Sequence, residues 1–170
     1  NILFSSIIGT STLTMAWFIQ PFFQVIELPI EMFGILWTIL NLTVGLVAAI
    51  AYKIEAKLGQ IRSVILITLF IPATYIILSV FQSVYALLII FIFYIVRGFA
   101  TPVLKDYIQR MSKSNIRATV MSVRNFIIRL NFILIGPLLG WLTDNYSLKQ
   151  ALLLAGIIFI TIAGATMLLY

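Results

Sequence analysis

Six apolar runs, each long enough to cross a lipid bilayer, follow one another with connections of only a few residues. They cover about 2–25, 31–52, 62–81, 84–109, 117–142 and 148–170. A helix rises about 1.5 Å per residue and the hydrocarbon core is about 30 Å thick, so about 20 apolar residues make one crossing. The connecting stretches are VIELPIE, KIEAKLGQ, FQS, RMSKSNI and TDNYS. Helices joined this tightly run antiparallel to their sequence neighbours. The expected fold is an all-α membrane protein of six transmembrane helices.

Composition closes the other routes. Of the 170 residues 62% are hydrophobic and 9% are charged, where a soluble domain carries about a quarter charged residues. The net charge of +6 comes from basic residues gathered at the connections, a pattern of membrane orientation and not of nucleic-acid binding. No connection is long enough for an RNA- or DNA-binding module. With no cysteine and no histidine, thiol chemistry, disulfides, Cys/His zinc sites and a histidine proton relay are absent. No glycine-rich phosphate loop and no intramembrane pair of acids is visible, so neither an enzyme nor a cofactor is expected. The sequence starts at Asn1 and stops at Tyr170 inside apolar runs, and is expected to be a fragment of a longer polypeptide.

Basic residues set the orientation. Lys53, Lys57 and Arg62 flank the second connection, and Lys105, Arg110, Lys113 and Arg117 flank the fourth. Glu27, Glu31 and Asp144 lie on the opposite side, with Lys149 as its one basic residue. The positive-inside rule places the second and fourth connections, and both chain ends, in the cytoplasm. Helices one to three then run opposite to helices four to six, the layout of two inverted three-helix repeats.

Polarity differs among the helices. The first carries Ser6, Thr10, Trp17, Gln20 and Gln24 at three- and four-residue steps, approximately one face. The second carries Gly34, Trp37, Thr38, Asn41, Gly45 and Ala49, small and polar positions suited to close helix contact. The fourth presents Tyr94, Arg97 and Thr101, and the fifth Asn125, Arg129 and Gly136. The third and sixth are almost uniformly apolar and read as peripheral, facing lipid. Trp141 fits an interfacial belt; Trp17 and Trp37 fit either a belt or a cavity wall.

Arginine depth carries the functional signal. Arg97 lies about 20 Å of helix from Arg110, and Arg129 about 18 Å from Arg117, placing both near mid-membrane. Such a charge costs at least ~2.5 kcal/mol unless it faces a cavity or a counter-charge. The carboxylates, Glu27, Glu31, Glu55, Asp106 and Asp144, all fall near helix ends. The partner is therefore a carboxylate elsewhere in the polypeptide, an anionic substrate, or exposed helix carbonyls. Arg124, closer to the cytoplasmic end, reads as an interfacial clamp. Pro72, Pro102 and Pro137 interrupt the backbone bonding of their helices. Pro102 is expected to loosen the fourth helix, and Pro137 with Gly136 and Gly140 to combine a kink with a small-residue packing surface.

With these residues in view, the chain resembles the C-terminal six-helix half of a major facilitator superfamily (MFS) transporter. The resemblance rests on RGFATPVLKDYIQR, on IRATVMSVRNFIIRL with Arg117 to Val120 and Ser122, and on GPLLGWLTDNYSLKQAL with Gly136 to Gly140 and Asp144. The second connection, AKLGQIR, is similar to the family's cytoplasmic motif through Lys57, Gly59 and Arg62; Ala56 stands where the family prefers Asp, with Glu55 beside it. The resemblance implies a twelve-helix protein whose N-terminal bundle is absent from the fragment. It further implies transport of a small-molecule substrate by alternating access, driven by protons or ions, in the cell membrane. In such a fold the first and fourth helices of this half line the path, and the third and sixth lie outside. Substrate-path candidates are Arg97, Tyr94, Thr101, Trp17, Gln20, Asn41 and Arg129. The alternative is a non-transporting membrane receptor, sensor or assembly subunit on the same bundle.

Overall fold

The structure, a computed structural model, describes residues 1–168. It consists of α1 (Ile2–Val25), α2 (Ile30–Leu58), α3 (Gln60–Val80), α4 (Leu87–Met111), α5 (Arg117–Asn145) and α6 (Leu148–Leu168). Short 3-10 turns precede α4 at Val84–Ala86 and α5 at Ser114–Ile116. All six helices are long and apolar enough to cross a membrane, which marks a multi-pass membrane protein. Positions 169 and 170 of the sixth expected span lie outside the described residues.

The largest boundary difference is in α2, which continues past residue 52 to Leu58. The stretch KIEAK contains good helix formers, and nothing in it stops a helix. Its 29 residues make a rod of about 43 Å, longer than the hydrocarbon core. Its last turns, with Lys53 and Lys57, therefore suit the headgroup region. The expected eight-residue connection shrinks to Gly59, with φ 76° and ψ 165°. The Gly59 N–H closes α2 on the Glu55 carbonyl at 2.8 Å, and its own carbonyl accepts from the Ser63 N–H at 3.1 Å. This backbone region belongs to glycine and costs other residues about 1–3 kcal/mol. Gly59→Ala should lower stability by about that amount, read as earlier thermal unfolding in detergent; an unchanged transition would show that the turn relaxes without strain.

The helices pack in pairs. α3 lies on α6, α2 on α4 and α5 on α1, while α1 also meets α6, α4 meets α3, and α5 meets α6. The pairs approach closely where one member has glycine. A Cβ on Gly98 would come within 2.8 Å of the Val44 carbonyl oxygen, and one on Gly156 within 3.2 Å of the Ile76 nitrogen. A Cβ on Gly9 would collide with the Ile128 side chain. Within this bundle the glycines expected to serve this purpose meet no second helix. Gly136 meets the Phe132 ring of its own helix, and Gly34, Gly45 and Gly140 have nothing within 4 Å. Spacing identifies small residues, but not whether a neighbour lies opposite.

α3, expected to be peripheral, keeps an exposed apolar face that includes Leu69 and Val80 but buries the other within this bundle. Of its apolar span 56% is buried, against 11% for α2 and 6% for α5. Its Tyr75 ring is fully buried, 6.0 Å from Phe93 of α4 and 5.4 Å from Phe159 of α6. The Tyr75 hydroxyl donates to the Ser11 carbonyl of α1. A uniformly apolar helix suits a protein interior as well as it suits lipid, so hydropathy cannot separate the two. Around Pro102 and Pro137, α4 and α5 stay helical. Beside Pro102, the Thr101 hydroxyl donates to the Arg97 carbonyl at 2.9 Å, and helices inside a bundle tolerate the missing bond.

Candidate functional site

The polar face expected along α1 divides in two. Ser5, Ser6 and Thr10 are buried in a seam against α5, whereas Trp17, Gln20 and Gln24 are exposed. In the seam the Ser6 hydroxyl approaches the Arg124 carbonyl at 3.4 Å, the Thr10 hydroxyl approaches the Ile128 carbonyl at 3.5 Å, and the Asn131 amide donates to Thr10 Oγ1 at 3.5 Å. Gly9 leaves room in the seam for the Ile128 and Arg124 side chains.

Arg124 is the deepest cation of the seam, 5% exposed. Its Nε donates to Ser5 Oγ at 2.6 Å, Nη2 to the Ser5 carbonyl at 3.3 Å and Nη1 to Asn125 Oδ1 at 3.3 Å. The clamp expected of Arg124 is present, but it is buried between helices instead of reaching out to the interface. Ser5 escaped the sequence reading because a serine one residue from Ser6 carries no periodic signal of its own.

Beside this seam, α1, α4 and α5 enclose a cleft of about 170 Å³. Arg97, Thr101 and Lys105 line it from α4, Thr12 from α1, and Arg124 and Asn125 from α5. Arg97, Thr101 and Lys105 are four residues apart, so one face of α4 carries them as a ladder. The sequence places Lys105 among the flanks of the basic connection; its spacing from Arg97 and Thr101 is the signal that links it to the cleft. Tyr94 does not line the cleft. It is fully buried, with no hydrogen-bond partner for its hydroxyl, and the Arg97 guanidinium lies over its ring at 5.3 Å. A cation over an aromatic face gains about 0.5–2 kcal/mol, so Tyr94 holds Arg97 at the cleft.

No carboxylate lines this cleft. Among the described residues the one ion pair is Arg110 with Asp106, at 2.6 Å. Glu55 accepts a hydrogen bond from the Tyr107 hydroxyl at 2.8 Å, tying α2 to α4. Glu27 lies in the turn between α1 and α2, and Glu31 and Asp144 lie in the first turn of α2 and the last turn of α5.

The other candidates fall elsewhere. Trp17 and Gln20 share a second cleft of about 360 Å³ with Ala16 and Trp37. The Trp17 ring stacks on Phe132 at 6.1 Å. Asn41 is exposed on α2, its amide donating to the Trp37 carbonyl at 2.8 Å. Arg129 is exposed on α5 and stands outside the basic cleft. Lys57 and Arg62 are exposed on either side of Gly59. The structure thus joins Arg97 to Thr101, and Trp17 to Gln20, in two clefts. Comparison with protein-family models, curated proteins and solved structures returned no match.

Proposed function

We propose that the chain is half of a secondary active transporter on the MFS plan, moving a small anionic or zwitterionic solute across the cell membrane by alternating access. Transport is coupled to a proton or ion gradient. The observation that carries this reading is the pattern of helix pairs. Exchanging α1, α2 and α3 for α4, α5 and α6 turns the α2–α4 pair into α5–α1, α1–α6 into α4–α3, and α2–α3 into α5–α6. The α3–α6 and α1–α4 pairs map onto themselves, while the smaller α1–α3 and α4–α5 contacts are not matched to the same extent. With the opposite membrane directions expected for the two triplets from their basic residues, this pattern supports an inverted repeat, the device from which many transporters build a site that opens to either side.

The exposed faces support a second bundle. α2 and α5 are the least buried helices, and Gly34, Gly45 and Gly140 on them are open. Arg129 adds a cation to that exposed surface at mid-helix. Faces of this kind accept other helices at close range.

The test uses the native polypeptide with a cysteine at Thr101, which lines the basic cleft; this segment has no cysteine of its own. A transporter exposes its central path to each side in turn, so a membrane-impermeant maleimide should label the site from both faces. The same protein in proteoliposomes should show solute counterflow. Labelling from the cytoplasmic face alone, without counterflow, would overturn alternating access and favour a sensor.

A further inference from the structure

We propose that the cleft between α1, α4 and α5 binds a compact, doubly charged oxyanion of the phosphate or sulfate type, with Arg97 and Lys105 as its charged contacts. This deepens the transport reading by naming a substrate class; it rests on that reading only for the claim that the bound ion crosses the membrane.

The argument begins with charge. Arg97, Lys105 and Arg124 all line the cleft, and no acid does. Arg124 already donates to Ser5 and Asn125. Arg97 lies over the Tyr94 ring, and neither Arg97 nor Lys105 has an ion-pair partner among the described residues. A cation as deep as Arg97 needs a counter-charge, and Lys105, nearer the helix end, adds a second positive group to the cleft. Two uncompensated cations beside a third that is already bonded suit a ligand of charge −2.

Size and donors narrow the ligand further. Drug-sized pockets run to about 300–1,000 Å³, whereas this cleft holds about 170 Å³. A tetrahedral oxyanion with part of its water fits that space. Guanidinium and ammonium groups supply strong N–H donors to oxyanions, and the Thr12 hydroxyl and Asn125 amide are further polar groups on the wall. The Arg97–Lys105 ladder covers eight residues, about 12 Å. It leads from mid-membrane toward the cytoplasmic end of α4, which gives a dissolved ion or a lipid phosphate a route to the same groups.

The experiment measures inorganic phosphate binding to the native polypeptide by calorimetry and thermal shift, with chloride at matched ionic strength as the control. Binding is expected for phosphate and sulfate and not for chloride. Arg97→Gln and Lys105→Gln should each weaken it roughly tenfold to hundredfold, the effect of losing one hydrogen bond to a charged group. Lys149→Gln, outside the cleft at the start of α6, should leave it unchanged. Lys105→Gln lies near the helix end and keeps the test open if Arg97→Gln fails to fold. Nanodiscs of neutral lipid, with and without phosphatidic acid, separate the sources. Phosphate binding in neutral lipid identifies a free ion; stabilisation by phosphatidic acid that Lys105→Gln removes identifies a headgroup. No binding from either source, or binding by both cleft variants as tight as by the native polypeptide, would overturn the site. Counterflow of another solute with no phosphate binding would remove this inference and leave the transport reading standing.

Discussion

Gly98→Leu is expected to force α2 away from α4 and to abolish the folded bundle at temperatures the native chain tolerates. A Cβ at this position would lie 2.8 Å from the Val44 carbonyl oxygen, 3.0 Å from the Val44 Cα and 3.1 Å from the Val47 Cβ. Two of these neighbours are backbone, so relief requires α2 to move as a rod. Alanine alone should cost about 1–3 kcal/mol, the usual penalty for overpacking. Leucine puts three more carbon atoms in the same place. α2 has little else to hold it, with 11% of its span buried, and its contact with α4 is the larger of its two helix pairings. Thermal unfolding in detergent gives the loss of stability. A disulfide between cysteines at Val44 and Gly98 neighbours, formed in the native background and lost in Gly98→Leu, would locate it. Gly45→Leu is the counterpart: Gly45 has nothing within 4 Å, so that variant should leave this bundle folded and impair its association with whatever covers α2.

This contrast shows what the sequence could and could not convey. Six spans and their order are written in hydropathy, because a bilayer imposes one length and one polarity on any crossing helix. The end of α2 was misplaced because Lys and Glu signal leaving the hydrocarbon core, and leaving the core does not end a helix. Which glycine touches a neighbour was not legible: Gly98 and Gly140 look alike in sequence, and the difference lies in whether Val44 or open space stands opposite. Arg97 and Thr101 were legible as site candidates from depth and spacing. Lys105 counts in the sequence only toward orientation, because positive charge near a helix end has an ordinary explanation there. Ser5 was missed because its role depends on Arg124, 119 residues away.

The Ser5–Arg124 contact leads to the second large effect, in which the smaller change does the greater harm. Ser5→Ala removes the oxygen that accepts from Arg124 Nε at 2.6 Å and leaves a buried cation with its remaining bonds at 3.3 Å. A lost hydrogen bond to a charged group costs about 1.5–3 kcal/mol. Arg124→Leu removes the cation itself. The Ser5 hydroxyl it leaves behind has a local alternative in the preceding turn, as Ser6 bonds the Ile2 carbonyl and Thr10 the Ser6 carbonyl. Replacing a buried charge by an apolar side chain is often neutral or stabilising. The expected order of thermal stability is therefore Arg124→Leu above Ser5→Ala, with the double variant close to Arg124→Leu alone. Additive losses would show that Arg124 and Ser5 contribute independently. The cleft supplies the reason for keeping a costly arginine at this depth. Arg124→Leu should retain the fold and lose part of the cleft's positive field, so phosphate should bind more weakly to a protein that melts no earlier. A seam chosen for stability alone would contain leucine; one that must also attract an anion needs the arginine, and needs Ser5 to hold it.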